Sequence, residues 1–257
     1  MRRMHLFEFE DQPWFPKVIR NGMTNYLRFV ADRFNFYQSV VPILSNGLAA
    51  SGGNTVIDLA SGGGGGWSKL AKQLSSEAPG LRVILTDRYP NQEALAAFTA
   101  TNPTVFSYEP NPVDARNVPA KLVGLRTQFL SLHHFKPSDA KQILENAIRA
   151  GQPIAIFEAQ KRDIVHLIKF SLSPIAVLLM TPLIRPMSWS QIFFTYVLPV
   201  IPLCTMWDGI VSVLRTYSLD ELNAMVQSID GSDAFEWELG ESNPKNFTIL
   251  YMLGHRK

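Results

Sequence analysis

Thr55-Val56-Ile57-Asp58-Leu59-Ala60-Ser61-Gly62-Gly63-Gly64-Gly65-Gly66-Trp67 is the stretch that decides the fold. It is an apolar run closing on an acid, followed by a bend of consecutive glycines, and it reads as a buried strand, a turn and the start of a helix. Residues without a β-carbon reach positive φ cheaply and leave room for a backbone to approach a nucleotide. Amides at the helix start beyond the bend can face a polar ligand. A flexible glycine loop with no ligand is the plainer alternative, and the surrounding chain decides between the two.

Downstream, the apolar runs at 82–86 and 104–108 are short enough for buried strands. Residues 67–75 and 91–99 between them read as helices. Strands recur at 125–130 and 153–157, separated by a helix that opens at Ser138 and carries Ala140, Ile143, Leu144, Ala147 and Ile148 on one face. Gly151 is placed to end that helix. Strand and helix alternating in this way predict an α/β fold, a parallel sheet with helices on both faces. Upstream, Ile19, Met23, Tyr26, Leu27, Val30, Phe34 and Tyr37 recur at helical spacing, the mark of an amphipathic N-terminal helix, and 46–54 reads as a connection into the first strand. Near the other end, Ser218-Leu219-Asp220-Glu221 has the form of a capping box, followed by a stripe of Leu222, Met225, Val226 and Ile229. Two closing strands at 235–239 and 247–253 are joined by Gly240-Glu241-Ser242-Asn243-Pro244 as a hairpin-like ending.

The pattern changes after Glu158. Between Phe170 and Trp207 the only charged residue is Arg185, and prolines at 174, 182, 186, 199 and 202 repeatedly break the apolar run. The chain therefore divides into an N-terminal helical segment (1–50), a core (51–160 and 217–257) and an apolar insertion (161–216). With 257 residues, 46% of them hydrophobic, it can bury a large core. The 24 basic and 22 acidic side chains are interspersed, so the net charge of +2 makes no case for nucleic acid. Cys204 is the only cysteine, which excludes an intrachain disulfide and suits a reducing compartment. The N-terminus continues through Glu8, Glu10 and Asp11 with no apolar signal stretch, so the expected location is cytoplasmic. Nothing in the pattern specifies an oligomer.

In open α/β sheets, ligands bind beyond the carboxyl ends of the strands. Asp58 and the glycines close the first strand, Asp87 closes the second, Asp114 lies just beyond the third, and His133-His134 follow the fourth. Asp87 stands about twenty residues past the glycines, the separation at which a carboxylate accepts hydrogen bonds from ribose hydroxyls. A G-x-G-x-x-G fingerprint fails from every glycine of the run, because its last position falls on Trp67, Ser68 or Lys69, and this opposes a nicotinamide oxidoreductase. The phosphate loop G-x-x-x-x-G-K-[ST] fails as well, since Lys69 follows Ser68.

At these residues the chain resembles the class I S-adenosylmethionine-dependent methyltransferases of small-molecule type, whose first motif runs apolar-apolar-acid-x-G-x-G-x-G. Here it reads Val56-Ile57-Asp58-Leu59-Ala60-Ser61-Gly62-Gly63-Gly64, with Ala60 in place of the first glycine. Val113-Asp114-Ala115 is similar to the family's third motif, and the ending from Phe247 to Gly254 to its antiparallel last strand. The resemblance covers about 55–160 and 217–257. It implies a Rossmann-like mixed seven-stranded sheet, preceded by N-terminal helices and carrying a helical insertion. It also implies S-adenosylmethionine as cofactor, with Asp87 on the ribose, Asp114 and Ala115 at the adenine, Ala60, Gly62 and Gly64 near the amino-acid portion, and Asp58 beneath the loop. His133 occupies the position where many small-molecule O-methyltransferases of this class place a general base. In the plant-type pattern the next residue is acidic, whereas here it is His134. Histidines that only hydrogen-bond at a strand end remain the alternative. No metal is expected, because adjacent histidines in one loop do not make a ligand set.

The insertion admits two readings. As a cap it would line an apolar pocket with Trp189, Phe193, Phe194, Tyr196 and Trp207. As a membrane-dipping hairpin, 170–207 would use the same aromatics at the interface. Trp14-Phe15-Pro16 with Tyr26 forms a second candidate wall, for which helix packing is the simpler account. The resulting expectation is methyl transfer to a small apolar acceptor, at oxygen rather than carbon. The alternatives are a membrane-associated lipid or quinone methyltransferase and a non-catalytic S-adenosylmethionine-binding or interaction protein.

Overall fold

A computed structural model of the chain describes residues 1–242 and 248–257. Two compact units form: Met1–Phe34 with Gln160–Tyr217, and Asn35–Ala159 with Ser218–Lys257. Residues 35–50, expected as part of the N-terminal segment, cluster with the sheet.

The second unit holds a seven-stranded sheet. Its strands are β1 (Thr55–Asp58), β2 (Arg82–Leu85), β3 (Phe106–Tyr108), β4 (Leu125–Phe129), β5 (Ile154–Glu158), β6 (Phe235–Ser242) and β7 (Ile249–Arg256), in the order β3-β2-β1-β4-β5-β7-β6. The first five are parallel, with Val56 beside Val83 and Leu125, and β7 runs antiparallel between β5 and β6. Central strands covered on both faces need apolar residues at every position, and Val56, Ile57, Val83, Leu85, Ile154 and Phe157 are buried accordingly. In β4, the polar Arg126, Thr127 and Gln128 are buried too. Arg126 meets Asn146 Oδ1 at 2.7 Å, and burial pushes its guanidinium down to about 10.

The helices of this unit are α2 (Val41–Ser51), α3 (Trp67–Glu77), α4 (Gln92–Thr99), α5 (Pro137–Ala150) and α10 (Leu219–Gln227). The Asn91 side chain accepts from Ala94 N to start α4, Gly151 ends α5 at φ 62°, and both bonds of the capping box at Ser218 and Glu221 are present. Helix α2 replaces most of the connection expected at 46–54. The N-terminal helix α1 (Lys17–Phe34) stops before Tyr37, because Asn35 turns left-handed at φ 51° and Phe36–Val40 form a 3₁₀ turn. Gly240 to Ser242, expected in the closing turn, instead extend β6. Asn243, Pro244 and Phe247 lie outside the described residues.

The first unit contains α1, α6 (Ile164–Ser171), α7 (Ser173–Met180), α8 (Trp189–Ile192), a π-helical turn at Phe193–Val197 and α9 (Val200–Arg215). Phe15, Ile19, Met23, Tyr26, Val177, Ile184, Ile201 and Cys204 make its core. The N-terminal segment is tied to α9 by polar contacts. Asp208 accepts from Phe9 N and Glu10 N at 2.7 and 3.1 Å, while buried Arg215 meets Glu8 at 3.2 Å and Asp11 at 2.7 Å. Among the described residues no single helix is long and apolar enough to cross a membrane.

Candidate active site

The bend after β1 alternates. Ala60, Gly62, Gly64 and Gly66 have φ of 56°, 55°, 76° and 82°, whereas Ser61, Gly63 and Gly65 are not left-handed. Two of these positions also need the missing side chain. A β-carbon on Gly66 would lie 2.5 Å from the Tyr37 ring, and one on Gly64 would lie 3.0 Å from Phe98. Gly66, which the resemblance leaves unexplained, begins α3 and makes room for Tyr37. At Gly62 the space a β-carbon would fill is open.

The tips of β1 and β2 are locked beneath this bend. The Asp58 carbonyl accepts from the Ser61 and Thr86 hydroxyls at 2.8 and 2.9 Å, and Ser61 N donates to the Thr86 carbonyl at 2.9 Å. The Asp58 carboxyl is buried and accepts from the Thr127 hydroxyl at 2.8 Å. Burial raises it to about 6, against the opposing pull of hydrogen bonds. Such a group braces the loop from below.

Asp87 joins two neighbours. One carboxylate oxygen accepts from Gly62 N at 3.0 Å and the other from Tyr89 N at 2.8 Å, so the acid at the end of β2 is bonded to the glycine bend. Its carbonyl accepts from Val113 N at 2.8 Å, which brings the Asp114 loop alongside. Asp114 is engaged by Arg116 through Nε at 3.0 Å, Nη2 at 2.7 Å and the backbone N–H at 2.9 Å. Arg116 also reaches Asp139 at 3.0 Å. Those hydrogen bonds hold the Asp114 carboxyl below the usual range, so it is ionised and fixed in direction. Ala115 is buried beside it.

His133 and His134 lie in a short turn after β4, with ring centroids 4.2 Å apart. His133 is buried, and a single carboxylate at the end of β5 holds it twice. Glu158 Oε1 accepts from His133 N at 3.0 Å, and Oε2 meets the ring Nδ1 at 2.8 Å. A carboxylate on Nδ1 fixes the ring plane and favours the tautomer that carries its proton on Nδ1. Glu158 and Arg116 escaped the sequence reading. Glu158 had the same signal as Asp58, an acid ending a buried strand.

The structure thus brings Ala60, Gly62, Gly64, Asp87 and Asp114 together around one bend, and places the His133–Glu158 pair at the ends of β4 and β5. The aromatic candidates belong to the first unit. Trp14 and Trp207 join one cluster through Phe9, at centroid distances of 6.2 and 6.5 Å, and the Trp207 N–H donates to the Phe7 carbonyl at 3.0 Å. Tyr26 is buried in the helical core, whereas Trp189 is 77% exposed and Phe193 46%.

No family model matches the chain, and no curated protein matches it in sequence. Solved structures do. Human N-acetylserotonin methyltransferase in complex with S-adenosylmethionine is similar over 99% of this chain and 63% of its own, at TM-score 0.52 and 13% identity. A Nostoc punctiforme protein assigned as an O-methyltransferase is similar over 98% of this chain and 64% of its own, at TM-score 0.52 and 11% identity. The chain spans a little under two thirds of the length of these two proteins. The fold is that of the class I S-adenosylmethionine-dependent methyltransferases, with the mixed seven-stranded sheet and antiparallel β7 that the sequence predicts.

Proposed function

We propose that the chain is an enzyme that binds S-adenosylmethionine at the carboxyl edge of its sheet and methylates a hydroxyl of a small apolar acceptor. The observation that carries this reading is the His133–Glu158 pair, a buried imidazole oriented through Nδ1 at the sheet edge that also bears the glycine bend, Asp87 and Asp114. The donor set suits the cofactor: two carboxylates can accept from ribose hydroxyls and an adenine amino group, and the side of Gly62 is open. Asp87 would hold the ribose and Asp114 the adenine, with Arg116 setting the direction of the Asp114 carboxylate. Ala60, Gly62 and Gly64 would shape the backbone near the amino-acid portion, and Ala115 would border the adenine.

When bound, the cofactor supplies a methyl group already activated by a positively charged sulfur. The chain's own task is then to place the acceptor and remove its proton. His133 would take that proton at Nε2, while Glu158 acts as a positioning residue that steadies the ring and the developing imidazolium. His134, against the same ring, is the second candidate base. A hydroxyl acceptor is favoured over carbon because its proton sits on the attacking atom itself, where a base beside the acceptor can take it, and because the similar Nostoc punctiforme protein is assigned as an O-methyltransferase. The apolar character of the acceptor is supported by the make-up of 170–207, where Arg185 is the one charged residue, with Trp14, Tyr26, Trp189, Phe193 and Trp207 as candidate contacts.

Calorimetry with S-adenosylmethionine and NAD, followed by turnover on a panel of apolar phenols, tests the reading. S-adenosylmethionine should bind and NAD should not, and Asp87→Ala should weaken binding about tenfold or more. Glu158→Gln should keep the cofactor affinity, lower kcat by about a hundredfold and displace the pH profile of kcat. NAD binding without a response to S-adenosylmethionine would overturn the proposal. Full turnover and an unchanged pH profile in both His133→Ala and Glu158→Gln would remove the base.

A further inference from the structure

Helices α6 and α7 are apolar on the wrong side. Together with the 3₁₀ turn Thr181–Leu183 that continues α7, their inner side buries His166, Val177 and Thr181. Ile164, Ile168, Leu172, Ile175, Leu179 and Leu183 recur every three or four residues, which makes one stripe along the pair, and each is more than half exposed. A helix at a water-exposed surface places polar residues there, and one that is hydrophobic all round has its outer side covered. Isolated exposed leucines need no explanation, but a continuous stripe does.

The chemistry of the flanks indicates what covers it. From Ile164 to Trp207 there is no Asp or Glu, and the two formal charges are Lys169 and Arg185, both exposed. Exposed Trp189, Tyr196 and Trp207 follow, side chains that suit a boundary between apolar and wet surroundings. The helix pairs Ile164–Leu183 and Trp189–Arg215 have the length and hydropathy of a span, but they are bent by 42° and 80°. That shape suits lying within an interface rather than crossing it. Aliphatic residues, interfacial aromatics and cations without acids match one partner chemistry, a bilayer bearing anionic headgroups.

We infer that the α6–α7 stripe docks the Gln160–Tyr217 segment onto an anionic bilayer surface, with Ile168, Leu172 and Leu179 among the acyl chains and Lys169 and Arg185 at the headgroups. The inference does not depend on methyl transfer, and its test reads no activity. The full chain is floated with phosphatidylcholine vesicles with and without phosphatidylglycerol. Wild type should float with the anionic vesicles and more weakly with the neutral ones. Replacing Ile168 and Leu179 together by Glu changes only exposed positions, so the melting temperature should hold while the bound fraction falls about tenfold or more. Lys169→Glu with Arg185→Glu should lose about tenfold on anionic vesicles alone. Wild type left unbound by both vesicle types would overturn the inference. So would a wild-type dimer that the Ile168→Glu, Leu179→Glu variant dissolves, because the stripe would then be covered by a second copy of the chain.

Discussion

Ala60 carries a β-carbon through a conformation that ordinarily favours glycine, at φ 56°. The bend therefore keeps its alternating geometry despite the substitution in its first motif position. An L-residue in that region costs about 1 kcal/mol, which replacement by glycine relieves, offset in part by the greater freedom of glycine in the unfolded chain. Ala60→Gly should raise the thermal midpoint by a degree or more, corresponding to a gain of up to about 1 kcal/mol. A lower midpoint would mean that the β-carbon makes a packing contact worth more than the strain. At this scale the sequence disclosed the acids and glycines, because strand ends and bends are local patterns. It did not disclose that Glu158 serves His133, since the two are 25 positions apart and only the pairing of β4 with β5 makes them neighbours. Nor could spacing reveal that Asp114 is held by Arg116, which depends on a side chain folding back two residues.

Helix α3 and the 3₁₀ turn at Phe36–Val40 meet where Gly66 has no side chain. Gly66→Ala would place a methyl group 2.5 Å from the Tyr37 ring at φ 82°, combining backbone strain with overpacking. A loss of about 2 to 4 kcal/mol is expected in denaturant unfolding. Adding Tyr37→Ala should return part of it, and strictly additive losses would show that the ring is not the obstacle. Helices with a clear apolar stripe and a cap, such as α5 and α10, were legible because their signals lie within a few residues of one another. Helix α2 was not. Its Gly47 reads as a breaker, yet a β-carbon there would lie 2.9 Å from Leu125 and 3.1 Å from Leu253. The glycine lets the helix press onto the sheet, a reason that exists only in three dimensions. Apolar spacing continues through Tyr37 although α1 ends at Phe34, because spacing alone does not register the left-handed turn at Asn35.

Each of the two units buries a carboxyl whose proton it holds unusually well, and this gives the whole chain a pH dependence. Burial raises Asp58 to about 6, and burial likewise raises Asp208 to about 6 with Glu8 and Asp11 adding to the effect. An unfolded aspartate titrates near 4, so between about pH 4 and 6 the folded chain binds more protons than the unfolded one. Stability from these groups is complete below that window and is lost as the pH rises through it, by about 3 kcal/mol for Asp58. Asp114, held low by Arg116, acts in the opposite sense and loses its contribution as the pH falls below its ordinary range. Thermal unfolding of Asp58→Asn across pH 4 to 8 should show a stability gain over wild type that grows from about pH 4 to 6 and then levels off. A gap independent of pH would show that Asp58 is ionised in the folded chain throughout. At this scale, the shift in composition after Glu158 and the capping box at Ser218 mark where the chain leaves the sheet and returns. Composition did not show that Met1–Phe34 clusters with that excursion, because the link is made by packing of α1 on α9 and by Asp208 and Arg215.

The lone thiol of the chain sits inside that helical core. Cys204 is buried on α9, and burial pushes its thiol up to about 11, so the reactive thiolate is scarce at neutral pH. A labelling reagent would therefore reach it chiefly when the helical unit opens. The rate of modification becomes a clock for that opening, separate from the melting of the sheet, and the unit's breathing can be followed without adding a probe.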